Sequence, residues 1–170
     1  MTDANEGTPN PEPAADKMTL IVFSGDLDKV MAAFILATGA AAMDYEVSMF
    51  FTFWGMSALR KENCKPPRKD FMSRMFGWML PKGPRKLKLS KMNMMGMGTS
   101  MMKSVMRKQN VMDLPSLIDT AKDLGVEFYA CEMSMSVMGL KEEELIDGVK
   151  MAGVATALAD ASESRVTLFI

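Results

Sequence analysis

Four largely apolar runs of strand length and one shorter candidate strand, separated by stretches with helical periodicity, constrain this chain more than any other feature. They are Met18–Phe23 (MTLIVF), Tyr45–Phe53 (YEVSMFFTF), Val126–Ala130 (VEFYA), Val149–Met151 and Val166–Ile170 (VTLFI). Strands this apolar are buried on both faces, and strands alternating with helices build a parallel sheet covered on both sides. The expected fold class is therefore α/β: a three-layer Rossmann-like domain with a mainly parallel sheet of about five strands. The 170 residues suffice for one such domain.

The helices between the strands are readable in outline. Asp26 is placed to cap a helix whose buried face carries Leu27, Val30, Met31, Phe34, Ile35 and Thr38. A second helix over Leu114–Leu124 has Asp113 as cap, Pro115 in its first turn and Gly125 just past its end. Its stripe is Leu114, Leu117, Ile118, Ala121 and Leu124. Short helices are expected at Ser134–Met138, at Leu140–Ile146 before Gly148, and at Val154–Ser162. Residues 1–17 have the polar, acidic, proline-containing composition of a disordered tail, and a single domain then spans 18–170.

One segment interrupts the pattern. Residues 65–112 hold 12 of the 20 Lys and Arg against a single acid, Asp70, and 11 of the 21 methionines. Pro66, Pro67, Pro81, Gly83 and Pro84 break this basic Met-rich insert into short pieces. Phe71, Met72, Met75, Phe76, Met79 and Leu80 share one helical face, suited to a shallow peripheral membrane contact. A basic block on an acidic body suits an anionic partner, a membrane surface or a neighbouring subunit. Its glycine, proline and methionine content matches no nucleic-acid recognition module. The thioethers of Met92–Met97 (MNMMGM) are Cu(I)-type ligands, but methionines more often serve as adaptable packing, so no metal is expected.

Absences narrow the chemistry. The chain has no histidine, which removes Ser-His-Asp and Cys-His catalysis and imidazole metal sites. Its 2 cysteines, Cys64 and Cys131, are too few for a four-ligand zinc site and form no CxxC. Neither GxGxxG nor a P-loop is present, so no nucleotide cofactor is expected. Met1–Asp16 lacks the apolar stretch of a signal peptide, and the longest apolar run, Val30–Met43, is shorter than the roughly 20 residues of a membrane span. Reduced thiols in a cytoplasm is the expected compartment.

Ligands of open parallel sheets bind outside the carboxyl ends of the strands. That rule selects Ser24, Gly25 and Asp26 after the first strand, Trp54 and Gly55 after the second, and Cys131, Met133 and Ser134 after the third. Cys131 is the strong nucleophile among them. Between a strand and a short helix, its thiolate meets free N–H groups and the positive end of a helix dipole, while the adjacent Glu132 opposes ionisation. Against this stands the commoner fate of a free cysteine, inert burial. Ser24-Gly25-Asp26 reads more readily as a cap and tight turn than as a ligand loop. Cys64, flanked by Arg60, Lys61 and Lys65, is read as a bystander or accessory thiol.

Three stretches together resemble the DsrE/DsrF-like family, in its larger subgroup often labelled peroxiredoxin-like: SGDLDK (Ser24–Lys29) with its Ala-rich helix, TFWG (Thr52–Gly55) and CEMSMSVMG (Cys131–Gly139). LSKMN (Leu89–Asn93) and the VTLFI ending fit the same pattern, so the resemblance covers 18–170. It implies a parallel α/β fold, a homo-oligomer and a sulfur relay or sulfurtransferase role. A cysteine mapped onto Cys131 would carry sulfane sulfur as a persulfide, with no cofactor or metal. It also implies TusA-like sulfur carriers and rhodanese-like sulfurtransferases as partners. Trp54 and the methionines would line an apolar pocket around the persulfide; Cys64 matches no family motif. The competing readings are a non-enzymatic oligomeric adaptor docking a partner or membrane through the insert, and a thiol peroxidase, which would need a resolving thiol.

Overall fold

Each of the five candidate segments forms a strand. The computed structural model describes residues 16–63, 75, 77 and 79–170. β1 (Lys17–Val22), β2 (Glu46–Phe51), β3 (Glu127–Cys131), β4 (Val149–Ala152) and β5 (Val166–Phe169) pair in parallel in the order β4-β3-β2-β1-β5. The helices are α1 (Leu27–Ala41), α2 (Met97–Lys108), α3 (Leu114–Asp123), α4 (Glu132–Met138) and α5 (Val154–Glu163). The chain steps outward from β1 to β4, then returns past β1 to lay β5 on the opposite edge. Since βαβ crossovers are right-handed, the reversal puts α5 on the face opposite to the other crossovers, giving three layers.

The two faces differ in kind. On the first, Leu20, Val22, Met49, Phe51, Phe128 and Ala130 meet Val30, Phe34 and Ala37 of α1 and Leu117, Ile118 and Ala121 of α3 in the main core. The rings of Phe51 and Phe128 and of Phe34 and Phe128 meet edge-on, with centroids 6.0 Å and 5.6 Å apart, a favoured aromatic geometry. The second face carries the alternate residues. Thr19 and Ser48 join hydroxyls at 3.0 Å, and Lys17 reaches Asp160 and Glu163 of α5, both at 3.1 Å. A small cluster of Phe50, Cys131, Ala152 and Ala157 completes it.

Several expectations need correction. Lys17 is not tail but the buried first residue of β1. In α1, Ile35 is 51% exposed; Ala33 and Ala37 fill the buried stripe instead. Leu124 is likewise exposed, standing at the C-cap of α3. Asp26 occupies the N-cap position of α1 without a side-chain capping bond. Its carboxylate accepts from the Ser24 hydroxyl at 3.1 Å and pairs with Lys29 at 2.9 Å, while the Leu27 N–H donates to the Lys88 carbonyl. Asp113 does cap, accepting from the Ser116 N–H at 3.1 Å. No α-helix spans Leu140–Ile146, where there is one 3-10 turn, Glu142–Glu144. That backbone is bound elsewhere: Lys61 N–H donates to Glu144 and Ile146 N–H to Leu59, closing a bridge between Arg60 and Leu145.

The insert is less fragmented than expected, since α2 runs for 12 residues. It is tied to the body by the Asp28 carboxylate, which accepts from the Ser90 N–H at 2.8 Å and hydroxyl at 2.5 Å. A second tie is the buried Arg60 guanidinium, which donates to the carbonyls of Gly77, Leu80 and Pro81 and pairs with Glu144 at 3.2 Å. Of the proposed membrane face, Leu80 is buried and Met75 and Met79 are exposed. Phe71, Met72 and Phe76 lie outside the described residues, as does the expected tail up to residue 15. Among the described residues, no helix is long and apolar enough to cross a membrane.

Candidate functional site

Because β1, β2 and β3 are adjacent and parallel, the loops after them share one rim. Phe51 stands opposite Ala130, so the next pair in register is Thr52 and Cys131. Cys131 ends β3 and is the N-cap residue of α4. The side chain after it that matters most is Ser134, fully buried beneath the rim, whose hydroxyl lies 2.7 Å from that of Thr52.

These groups surround the sulfur with donors. Burial by itself raises the Cys131 thiol pKa. That effect is outweighed by the hydroxyl and N–H of Ser134, the hydroxyl of Thr52 and the N–H of Met133, and the pKa falls below the ordinary 9.0. The thiol closes no regular N-cap hydrogen bond; the two N–H groups nonetheless favour its ionised form, as helix N-termini do. Glu132, expected to oppose ionisation, does not prevent the lowering. No lysine or arginine is needed.

The sulfur is also covered. Cys131 is 4% exposed, packed with Phe50, Ala152 and Ala157 and flanked by Ile21 and Tyr129. The expected surround of Trp54 and methionines is not what packs on it. Met133 contributes an N–H while its side chain is exposed. The cover on the second face is α5, of which only Ala157 is buried.

Ser24, Gly25, Asp26 and Trp54 form a separate cleft of about 350 Å³ with Phe23, Lys29, Ser57 and Pro81. Cys131 does not line it. Two glycines here answer to packing. A Cβ on Gly25 would stand 2.7 Å from the Trp54 carbonyl oxygen, and one on Gly55 2.2 Å from that of Val22. Gly55 is buried, its N–H donating to Phe23 at 2.9 Å, so it locks the β1 and β2 loops together. Cys64 lies outside the described residues. Among those residues no group of acids and cysteines could hold a metal ion.

Thr52 is the site residue that sequence reasoning missed, although it opens the TFWG motif. Its role depends on strand order and register. The signal available was its position as the first polar residue after β2, on the rim shared with Cys131.

Comparison with known proteins places this geometry. The model of the DsrE/DsrF/DrsH-like family matches residues 14–169. The chain is 54% identical over 154 residues to the uncharacterized protein YrkE of Bacillus subtilis, covering 91% of this chain and 96% of that one. It is 36% identical over 158 residues to the sulfur carrier protein DsrE2 of Allochromatium vinosum, covering 91% and 98%. Two solved structures share the fold. The ychN protein from E. coli has a TM-score of 0.51 at 11% identity, covering 91% of this chain and 98% of its own. MTH1491 from Methanobacterium thermoautotrophicum has a TM-score of 0.54 at 12% identity, covering 89% and 97%.

Proposed function

Because the chain belongs to the DsrE/DsrF/DrsH-like family, we propose that it is a sulfur carrier that holds sulfane sulfur as a persulfide on Cys131 and passes it to a partner thiol. The observation that carries this reading is the polar set around one sulfur: two hydroxyls hydrogen-bonded to each other at 2.7 Å, which present one donor, and two N–H groups that together offset the cost of burying its charge. The similarity to a named sulfur carrier over 91% of this chain supports it.

The chemistry needs no redox partner. The Cys131 thiolate attacks the outer sulfur of a donor R–S–SH. A Cys131–S–SH persulfide forms, the donor S–S bond breaks, and R–S⁻ leaves with the electron pair. An acceptor thiolate then attacks the outer sulfur, takes it as R′–S–SH and returns Cys131 as thiolate. The Ser134 and Thr52 hydroxyls stabilise the anionic sulfur before loading and after release. Cover from Phe50 and Ala157 keeps water from the persulfide between the two steps. Partners of the small-carrier and rhodanese-like kinds fit this exchange, as does a cytoplasmic setting with reduced thiols.

The test is intact-mass spectrometry after incubation with glutathione persulfide. The expected result is a gain of one sulfur atom, absent in Cys131→Ser and retained in Cys64→Ser. A chain that gains no sulfur from several persulfide donors, or gains it equally in Cys131→Ser, would overturn the reading.

A second reading, an adaptor that docks through its basic segment, is favoured by α2, which buries only Gly98 and Thr99 and exposes Met97, Met101 and Val105. It predicts that reversing the charges of Arg85, Lys86 and Lys88 abolishes function in cells while Cys131→Ser does not.

A further inference from the structure

Away from Cys131, the insert and the body enclose a second cavity of about 270 Å³. Its base is apolar: Leu27 and Met31 of α1 and Leu114 at the start of α3 are buried, and Met106 of α2 closes over them. Its lip is basic, with Arg85, Lys103 and Arg107 lining it beside one acid, Asp113.

The charges at the lip do not cancel. The Asp113 carboxylate, which accepts from the Ser116 N–H at 3.1 Å and hydroxyl at 2.7 Å, also feels Arg85 and Lys103 and offsets one of the three positive charges. Glu62 stands 3.9 Å from Arg85 Nε, at the limit of an ion pair. The Lys103 ammonium donates to the Arg85 carbonyl at 2.6 Å, which holds the Pro84–Lys86 turn and α2 together at the lip. Among the described residues no acid is paired with Lys103 or Arg107. The cavity thus combines a buried aliphatic floor with an excess of positive charge at its mouth, close to the small end of the roughly 300–1,000 Å³ range of ligand pockets.

We propose that this cavity binds a small amphiphilic monoanion, a carboxylate or sulfonate on a compact apolar body. The apolar part lies on Leu27, Met31, Met106 and Leu114, and the anionic group lies between Lys103 and Arg107. Nothing in the sulfur-carrying reading requires this ligand, because Cys131 and its donors lie in a different part of the rim.

The test is a fluorescence titration of the full chain with 8-anilinonaphthalene-1-sulfonate, followed by competition. Saturable binding at one site per chain is expected, displaced by octanoate at least about tenfold more effectively than by neutral octanamide, since the charge–charge term is lost with the amide. The double variant Lys103→Ala/Arg107→Ala weakens binding about tenfold or more. Ser100→Trp, a lip residue whose new ring enters the cavity, abolishes it while far-UV circular dichroism stays unchanged. The competing source of dye binding is the exposed apolar face of α2. If Met101→Ser/Val105→Ser removes binding while the lysine–arginine double variant leaves it intact, the cavity is not the site. Equal displacement by octanoate and octanamide, or no saturable binding, also overturns the proposal.

Discussion

Two hydroxyls 2.7 Å apart beside one sulfur make a sharp prediction about Cys131. Each hydroxyl has one hydrogen to donate. When one hydrogen bridges Thr52 and Ser134, only the other reaches the sulfur, so the pair supplies one direct donor polarised by its neighbour. Removing either hydroxyl frees the survivor to donate to sulfur itself. The single variants Ser134→Ala and Thr52→Val lose only the polarisation, about 10–30% of a bond. Against about 1.5–3 kcal/mol for a hydrogen bond to a charged group, that slows thiolate chemistry near neutral pH by less than about fivefold. The double variant loses the whole bond, which at 1.36 kcal/mol per factor of ten is roughly ten- to a hundredfold. The double effect therefore exceeds the product of the singles. The assay is the iodoacetamide alkylation rate against pH in a Cys64→Ser background, where the rate midpoint reports the Cys131 pKa. In the parent that midpoint lies below 9.0; in the double variant it moves up, because burial is then opposed by the N–H groups of Met133 and Ser134 alone. A full drop in Ser134→Ala alone would show that Thr52 cannot reach the sulfur. A double variant indistinguishable from the parent would refute the stabilisation by hydroxyls.

Three further outcomes follow from packing and linkage. Gly55→Ala, whose Cβ would sit 2.2 Å from the Val22 oxygen, should destabilise by about 3 kcal/mol, whereas Gly39→Ala in α1, with open space at its Cβ, should stabilise by about 0.5–1 kcal/mol; urea midpoints separate them. For Asp28, burial raises the pKa but the Ser90 hydroxyl and N–H lower it further. Its contribution is thus present above the ordinary carboxylate pKa and lost as pH falls through the depressed one. The stability gap between parent and Asp28→Asn should close on acidification, being about 0.5–1 kcal/mol at neutral pH for so exposed a group. Arg60→Met strips the buried Glu144 of its guanidinium and should cost about 3–5 kcal/mol, while Arg60→Met/Glu144→Leu recovers the share due to the unpaired carboxylate and leaves the share due to the lost bonds to the Gly77, Leu80 and Pro81 carbonyls, again by urea midpoint.

Local pattern carried the strands and failed where contacts between distant segments decide. The five segments became strands with ends moved by one or two residues: β1, β2 and β3 because their burial leaves no other place for them, and β4 and β5 as half-exposed edges paired to that core. The Cys131 position at the end of β3 was visible in the same way. Period-two alternation also set Cys131 on the face of Tyr129 and Glu127, but the helix covering that face depends on the reversal between β4 and β5. Leu140–Ile146 misled because its leucines and three glutamates look helical. Arg60, 84 residues upstream of Glu144, claims that backbone and the Glu144 side chain instead. α2 was hidden by the glycines and strained turns before it, with Met92, Met94 and Met95 all at positive φ.

The unequal faces of the sheet bear on how a donor would reach a sulfur that is 4% exposed, as the proposed exchange requires. The first face is held by two long helices and interlocking rings, and opening it amounts to unfolding. The second is closed over Cys131 by α5, which buries one apolar side chain, Ala157, worth on the order of 1 kcal/mol at about 0.8 kcal/mol per CH₂. The polar ties of α5 lie toward its other end: Lys17 to Asp160 and Glu163, and Ser164 to Thr19 at 2.8 Å. Its first turn can therefore lift while its last turn stays fixed, a local opening far below the global unfolding energy. Amides at Ala157 and Leu158 should exchange hydrogen much faster than those of β2 and β3, with the Cys131 alkylation rate scaled by the same rapid opening equilibrium. Ala157→Gly, which removes the one buried side chain of α5 and loosens its first turn, should speed both in proportion. If strand amides exchange as fast as those of α5, or if alkylation is unchanged when α5 exchange rises, a donor reaches the sulfur by some other path and α5 is not its cover.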